Sequence, residues 1–286
     1  KKFNGVFDGN GHKISNLKIT QEVEKVGLFA INDTDGEIKN LKIENPKIII
    51  NNAKMKWLGT LVGQNKGIVS NVHIEGGNKA IISSEGGYVG GIVGGNFNQI
   101  LNCSIDANVI GEVVGGIAGE NKREIMQSYS YGEVRGSRTI GGIVGSSTST
   151  GYIANSFSQA ILTIQEMDGS ICAGGIAGQN TGSIDNCYAA LKIDRKNSNK
   201  ITGIAPKGES NEIKDSFFDK NLLWPTNSND GGKGLTSEEM KEQLTYAEAG
   251  WDFENIWGIK NGYPFVLSAD PEVPADPEVP ADPEVP

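Results

Sequence analysis

Histidine is nearly missing: 286 residues contain two, His12 and His73. Neither stands in a pattern of metal-ligand spacing, so zinc chemistry has nothing to build on. Each reads as an exposed filler, His12 in a turn and His73 in a strand. HExxH and GxSxG are absent, and glycine phrases such as GGIVGG lack the Lys-Ser/Thr of a phosphate loop. The three cysteines, Cys103, Cys172 and Cys187, form no CxxC. They read as small buried apolar residues rather than as a disulfide or metal framework. No apolar run approaches the roughly 18 residues a spanning helix needs. Basic clusters are also lacking. The formal charge is −9, and removing the six acids of the last eighteen residues still leaves −3. That balance argues against nucleic acid, which demands a clustered basic footprint. Neither a signal peptide nor an initiating methionine is present, and the chain opens inside a pattern, as expected of a piece cut from a longer protein.

Glycine is abundant instead, 39 residues in all, nearly twice the usual share of about 7%. Much of it falls in a repeat. An apolar residue, any residue, then an amide or acid recurs with Asn16, Asn40, Asn71, Asn102, Gln127, Asn155, Asn186 and Asp215 as the polar member, at spacings of 24 to 31 residues. Ahead of seven of these stands a glycine phrase, VGLFA at 26, LGTLVG at 58, VGGIVG at 89, VGGIAG at 114, IGGIVG at 140, AGGIAG at 173 and ITGIAP at 201. Its fourth position is Phe29, Leu61, Ile92, Ile117, Ile143, Ile176 and Ile204. Columns of like residues are what a stacked solenoid requires, because each coil meets only its neighbours. Short alternating phrases broken by Gly, Asn and Ser favour strands over helices. The expectation is an all-β solenoid of about eight coils over 1–218, with the polar column as a structural ladder of amides at a turn. Some glycines would bend the chain and others make room, and the sequence does not divide them.

After the polar member, early coils read LKI, VHI and CSI, and later ones SYS, SFS and CYA. Repacking is therefore expected near coil five. Residues 45–57 and 75–88 stretch their coils and are expected to form loops on one face. Residues 219–268 read as a cap over the last coil. Thr236 and Glu239 form a capping box, Leu235 and Met240 a staple, and a helix over 237–247 carries Met240 and Leu244 on one face. Trp224, Trp251, Trp257, Phe253, Tyr263 and Phe265 supply aromatics for packing, or else a sugar-stacking platform. The tail, ADPEVPADPEVPADPEVP over 269–286, reads as a disordered, extended, semi-rigid linker.

Carbohydrate-cleaving chemistry needs carboxylates that converge on one face. Asp8, Glu37, Asp106, Glu120 and Asp185 do not fall in one register of adjacent coils, and Arg123, Arg135, Arg138 and Arg195 do not pair with them repeatedly. No catalytic, metal or cofactor residues are assigned. The binding candidates are Lys54, Lys56 and Trp57, with Lys47 nearby, where bases surround an aromatic that is either exposed or laid over the solenoid side.

VGGIVGGNFNQILNCSI, VGGIAGENKREIMQSYSYGEVRG and AGGIAGQNTGSIDNCYA resemble the bacterial GLUG-motif repeats of secreted and surface proteins, found also in the N-terminal region of immunoglobulin A zinc metalloproteases. The resemblance covers about 3–218, and the opening and the closing GWDFENIWGIKNGYPFVL are similar to segments that flank such arrays. It implies a right-handed parallel β-helix outside a bacterial cell, attached to the wall through a segment beyond this chain. The function expected is a non-catalytic, adhesin-like module, monomeric, binding a host protein or glycan or serving as a rigid spacer. The rivals are an accessory exodomain of a larger surface protease and a polysaccharide-active enzyme.

Overall fold

The computed structural model describes residues 2–51, 56–165, 171–194, 201–206, 211–223, 231–259 and 262–267. Lys54, Trp224, Arg195 and the tail lie outside them. The chain winds as a parallel β-solenoid. One sheet holds seven parallel strands, from Lys2–Phe3 through Phe29–Asn32, Val62–Asn65, Val93–Asn96, Ala118–Asn121 and Val144–Ser147 to Ala177–Asn180. A second, larger sheet wraps the remaining sides. From Ile38 onward the apolar member of the repeat forms a core column, Ile38, Val69, Ile100, Ile125, Ile153, Ile184 and Ile213, which Phe7, outside the repeat, extends by one rung, each residue paired with the next. These eight rungs enclose about seven turns, one fewer than the coils expected, and at about 4.8 Å per rung the stack is on the order of 35 Å long.

The register expected from the sequence holds from the second coil onward and slips in the first. Ile14 pairs with Ile43, so Asn16 is level with Asn45 and not with Asn40. Phe29 pairs with Val62, the fifth column and not the fourth. The cause is local: VGLFA is one residue shorter than LGTLVG between its first apolar residue and the strand that follows. The stretched segments, expected as loops, contain paired strands. Lys47–Ile50 pairs with Ile81–Ser84, which pairs in turn with Asn108–Ile110. Ile48, Ile50 and Ile82 from these strands are fully buried, so the extra residues widen the coil and its core.

None of the phrase glycines takes a positive φ. They make room. A Cβ on Gly116 would come 2.3 Å from the Gly142 carbonyl, and one on Gly119 would come 2.6 Å from the backbone of both Tyr88 and Val89. The bending falls to the polar column, whose eight members all have φ between 42° and 58°. Asn tolerates this left-handed region better than other residues with side chains, since its short amide bonds locally.

The expected repacking is also present, on the outside. The residue after Ser128, Ser156, Cys187 and Ser216 is Tyr129, Phe157, Tyr188 or Phe217. Tyr129, Phe157 and Tyr188 stack with ring centroids 4.9 Å apart. The C-terminal segment packs on this ladder, so it covers the flank of the later coils as well as the end. Trp251 and Trp257 are buried there with Tyr246 and Met240, and the Tyr188 hydroxyl donates to the Pro264 carbonyl at 2.6 Å. One further strand, Lys233–Leu235, pairs with Phe217–Asp219 at the open edge. The capping box is formed: Glu239 N–H donates to Thr236 Oγ1 (3.1 Å) and Thr236 N–H to Glu239 Oε2 (2.7 Å). Helix follows only over Glu239–Lys241 and Gln243–Ala247, and Tyr246, not Leu244, is the buried partner of Met240, because the break at Glu242 rotates Leu244 outward to 67% exposure. With Trp251 and Trp257 buried, those two rings cannot serve as a sugar platform.

Candidate functional site

The expected ladder divides into two columns with different work. In the αL column, Asn40 donates to Asp8 at 3.0 Å, Asn71 to Asn40 at 2.8 Å and Asn102 to Asn71 at 3.3 Å. Asn155 accepts from the Trp257 indole at 3.3 Å. A second column closes the other sheet and is far more buried: Asn32, Asn65, Asn96 and Asn121 are each 0% exposed. Each of the first three donates to the next amide, at 2.8, 3.0 and 2.9 Å. Sequence reading passed over this column. Its signal was the Asn three residues after the fifth phrase position, as in VGQN, VGGN and AGEN.

Chemically capable groups elsewhere are held in similar cross-coil pairs. His73 is buried, not exposed, because it lies under the next rung: Nδ1 bonds Ser104 Oγ at 2.8 Å and Nε2 bonds Asn71 Oδ1 at 3.0 Å. The order Ser–His–Asn is that of a nucleophilic triad, yet Ser104 is itself buried within a strand paired on both sides. A substrate carbonyl has no path to it. Burial pushes the thiols of Cys103 and Cys187 up to about 12. Among the described residues no three His, Cys, Asp or Glu converge as metal ligands.

The carboxylates considered for catalysis are dispersed. Glu37 pairs with Lys39 at 2.8 Å. Asp8 and Asp185 share one outward column but stand six rungs apart, about 29 Å. Asp106 is held above the usual carboxylate range, by burial first and Glu75 second. Asp185 is also raised, by burial and then by Asp215. It lines a shallow depression of about 250 Å³ with Tyr152, Ser183, Glu212 and Lys214, and the Glu212–Lys214 pair at 2.7 Å closes one side.

Trp57 lies against the solenoid wall and is only 5% exposed. Its indole N–H donates to Glu120 Oε2 at 3.1 Å, two coils away, across Gly95, where a Cβ would come 2.5 Å from the indole nitrogen. Its ring meets Phe97 edge-on at 5.5 Å. Lys56 lies 4.4 Å and Lys25 5.6 Å from the ring centroid, while Lys122 sits 4.8 Å over Phe97 and 3.3 Å from Glu120. Lys47 belongs to another column, between Lys18 and Ile81. Of the expected candidates, the structure brings Lys56 and Trp57 together and adds Lys25, Phe97, Glu120 and Lys122.

With this geometry in place, comparison adds one decisive match: the model of the GLUG motif fits residues 169–193, spanning the sixth glycine phrase and the coil after it. The chain carries the GLUG motif. Two curated relatives share sequence with it. A protein named "Putative Gly-rich membrane protein" from Evansella cellulosilytica is 26% identical over 92% of this chain and 38% of its own length. Halomucin from Haloquadratum walsbyi is 39% identical over 31% of this chain and 1% of its own length. The chain therefore spans well under half of either relative. Among solved structures, a "putative immunoglobulin A1 protease" from Bacteroides ovatus superposes with a TM-score of 0.59 over 92% of this chain and 77% of that one, at 24% identity. That likeness establishes a shared fold. No helix among the described residues is long and apolar enough to cross a membrane.

Proposed function

We propose that this chain is a non-catalytic β-solenoid module of a protein displayed outside the cell, an adhesin-like body that offers its outer faces to a host protein or glycan. One observation carries the reading: the groups able to do chemistry are spent on joining coils. His73 holds Ser104, Glu120 holds Trp57, and the amides of Asn32 to Asn121 hold one another. An enzyme keeps at least one such group open to substrate. A rigid stack with its polar side chains locked presents instead a fixed pattern of outer residues, and rigidity lowers the ordering cost of binding. The names of the relatives, a "Putative Gly-rich membrane protein" and "Halomucin", support a place at the cell surface.

A second reading has its own support. The Tyr152–Asp185–Glu212 depression sets carboxylates beside an aromatic ring, the chemistry of a polysaccharide-active site. One experiment separates them. The full chain is probed on an array of extracellular-matrix proteins and glycans, and separately incubated with a polysaccharide panel while reducing ends and unsaturated products are followed. Saturable binding without cleavage supports the module. Cleavage that Asp185→Asn abolishes overturns it. Silence in both assays removes the adhesive role and leaves a spacer or an accessory exodomain.

A further inference from the structure

The lysines at the Trp57 corner are unusual in how they are held. Elsewhere several cations pair with carboxylates alone: Lys13 with Glu44, Lys39 with Glu37, Lys42 with Glu75, Arg135 with Glu133, Arg138 with Glu112 and Lys214 with Glu212. At the corner, Lys56 and Lys122 are positioned by the rings of Trp57 and Phe97, and Lys25 leans over Trp57 from the coil before. A ring attracts an ammonium through its quadrupole but carries no net charge. Lys56 is thus oriented without a carboxylate partner among the described residues, while Lys25 and Lys122 combine a ring with a carboxylate, Glu24 and Glu120.

The carboxylates present do not cancel the group. Glu24 lies 3.5 Å from Lys25. Glu120 is the other, and its two oxygens are divided between the Trp57 indole and Lys122. A chain of net charge −9 thereby keeps a local cluster of ammonium groups over aromatic edges, on rungs about 4.8 Å apart.

We infer that the corner formed by Lys25, Lys56, Trp57, Phe97 and Lys122 is a binding surface for an anionic oligosaccharide, a sugar chain bearing sulfate or carboxylate groups. This rests on the module reading and names the partner it would take. Lysine ammoniums are compact point charges suited to groups spaced singly along a chain. The half-buried Phe97 edge offers an apolar surface between them. Nucleic acid is disfavoured because three lysines at one corner do not make the extended basic footprint that a phosphate backbone requires.

The test uses the full chain and calorimetric or surface-based titration at low salt. The probes are a heparin-derived octasaccharide, its desulfated form, an oligogalacturonate of the same length, a single-stranded DNA and poly-glutamate. Saturable binding of the octasaccharide or the oligogalacturonate, with a salt slope of roughly −2 for about three ammoniums engaged, is the expected result. Octasaccharide without oligogalacturonate identifies sulfate as the group read, and the reverse identifies carboxylate. Lys56→Gln and Lys122→Gln each weaken binding about 5- to 10-fold and make the slope shallower by about one. Trp57→Leu keeps every charge yet weakens binding, because the ammoniums lose the ring that orients them. Lys13→Gln, which loses only the pair with Glu44 in another column, changes nothing. The inference is overturned if neither sugar saturates, if the Lys56→Gln/Lys122→Gln double variant binds as well as the parent, or if DNA or poly-glutamate binds as tightly as the sugar. A hit elsewhere on the array with an inert corner removes this surface and leaves the module standing, whereas degradation of a probe removes the module reading itself.

Discussion

Replacing Asn96 by Ala interrupts the buried ladder at its middle. The amide of Asn96 donates to Asn121 Oδ1 (2.9 Å) and to the carbonyls of Asn98 and Glu124, and it accepts from Asn65 at 3.0 Å. Truncation leaves Asn121 Oδ1 and one Asn65 N–H short of a partner at full burial. At about 1–3 kcal/mol for each under-bonded buried group, the loss is roughly 3 kcal/mol. With a urea slope near 3 kcal/mol/M, the midpoint falls by about 1 M. The contrast is Asn186, whose φ is 49° and whose value lies in its backbone. Asn186→Gly changes stability by no more than about 0.5 kcal/mol, since Gly adopts that φ freely. Asn186→Ala costs about 1 kcal/mol from left-handed strain. Urea titrations followed by circular dichroism on the three variants provide the comparison. If Asn96→Ala costs less than Asn186→Ala, the division into a bonding column and a bending column is wrong.

Gly119→Ala forces a methyl against the backbone of Tyr88 and Val89. Because backbone on neighbouring coils cannot step aside, it costs more than about 3 kcal/mol, read as loss of soluble protein or of the urea transition. Asp106 has a folded pKa above its unfolded value, so the folded state favours its protonated form. That contribution is full below the ordinary range near 3.8 and is lost as pH rises through the raised value. Asp106→Asn should match the parent in acid and exceed it at neutral pH; a parent more stable than the variant at pH 7 contradicts the account. With Cys103 and Cys187 buried and their thiols raised to about 12, a thiol reagent at pH 8 should modify only the half-buried Cys172 in the native protein. Labelling of all three without urea would show that the core opens.

Sequence periodicity made the architecture legible because a solenoid stacks like on like. The Val26, Leu58, Val89, Val114, Ile140, Ala173, Ile201 column was aligned from glycine phrases alone, and the strand pairing reproduces it. The first coil escaped because its shortened turn shifts one column and its strand 13–15 sits level with 42–44. Burial was harder to see. His73 looks exposed on polar composition and Trp57 reads either way, but each is roofed by residues 31 or more positions away, Ser104 and Glu120, and no local pattern reports that. The role of the Asn column was half legible: recurrence marked it as structural, while its conformation, not its bonding, is the feature common to all eight members.

Selection on such a stack acts on the two sides of the strand separately. Inward residues must match the rungs above and below, so Ile, Val and Gly recur, and their recurrence describes the fold only. Outward residues meet like constraints only where a neighbouring coil needs them, as in the Tyr129–Phe157–Tyr188 ladder that receives the C-terminal segment. Wherever outward residues break the periodicity without serving the stack, something other than folding accounts for them. The lysines around Trp57 are such residues, although Trp57 itself is tied to the stack through Glu120. Tyr88 and Val113 follow Trp57 in the same column, yet the Trp57 ring meets Phe97, lysines from its own coil and the coil before, and a carboxylate two coils on. Departure from the repeat, rather than conformity with it, is therefore the feature that directs the search for binding in a solenoid.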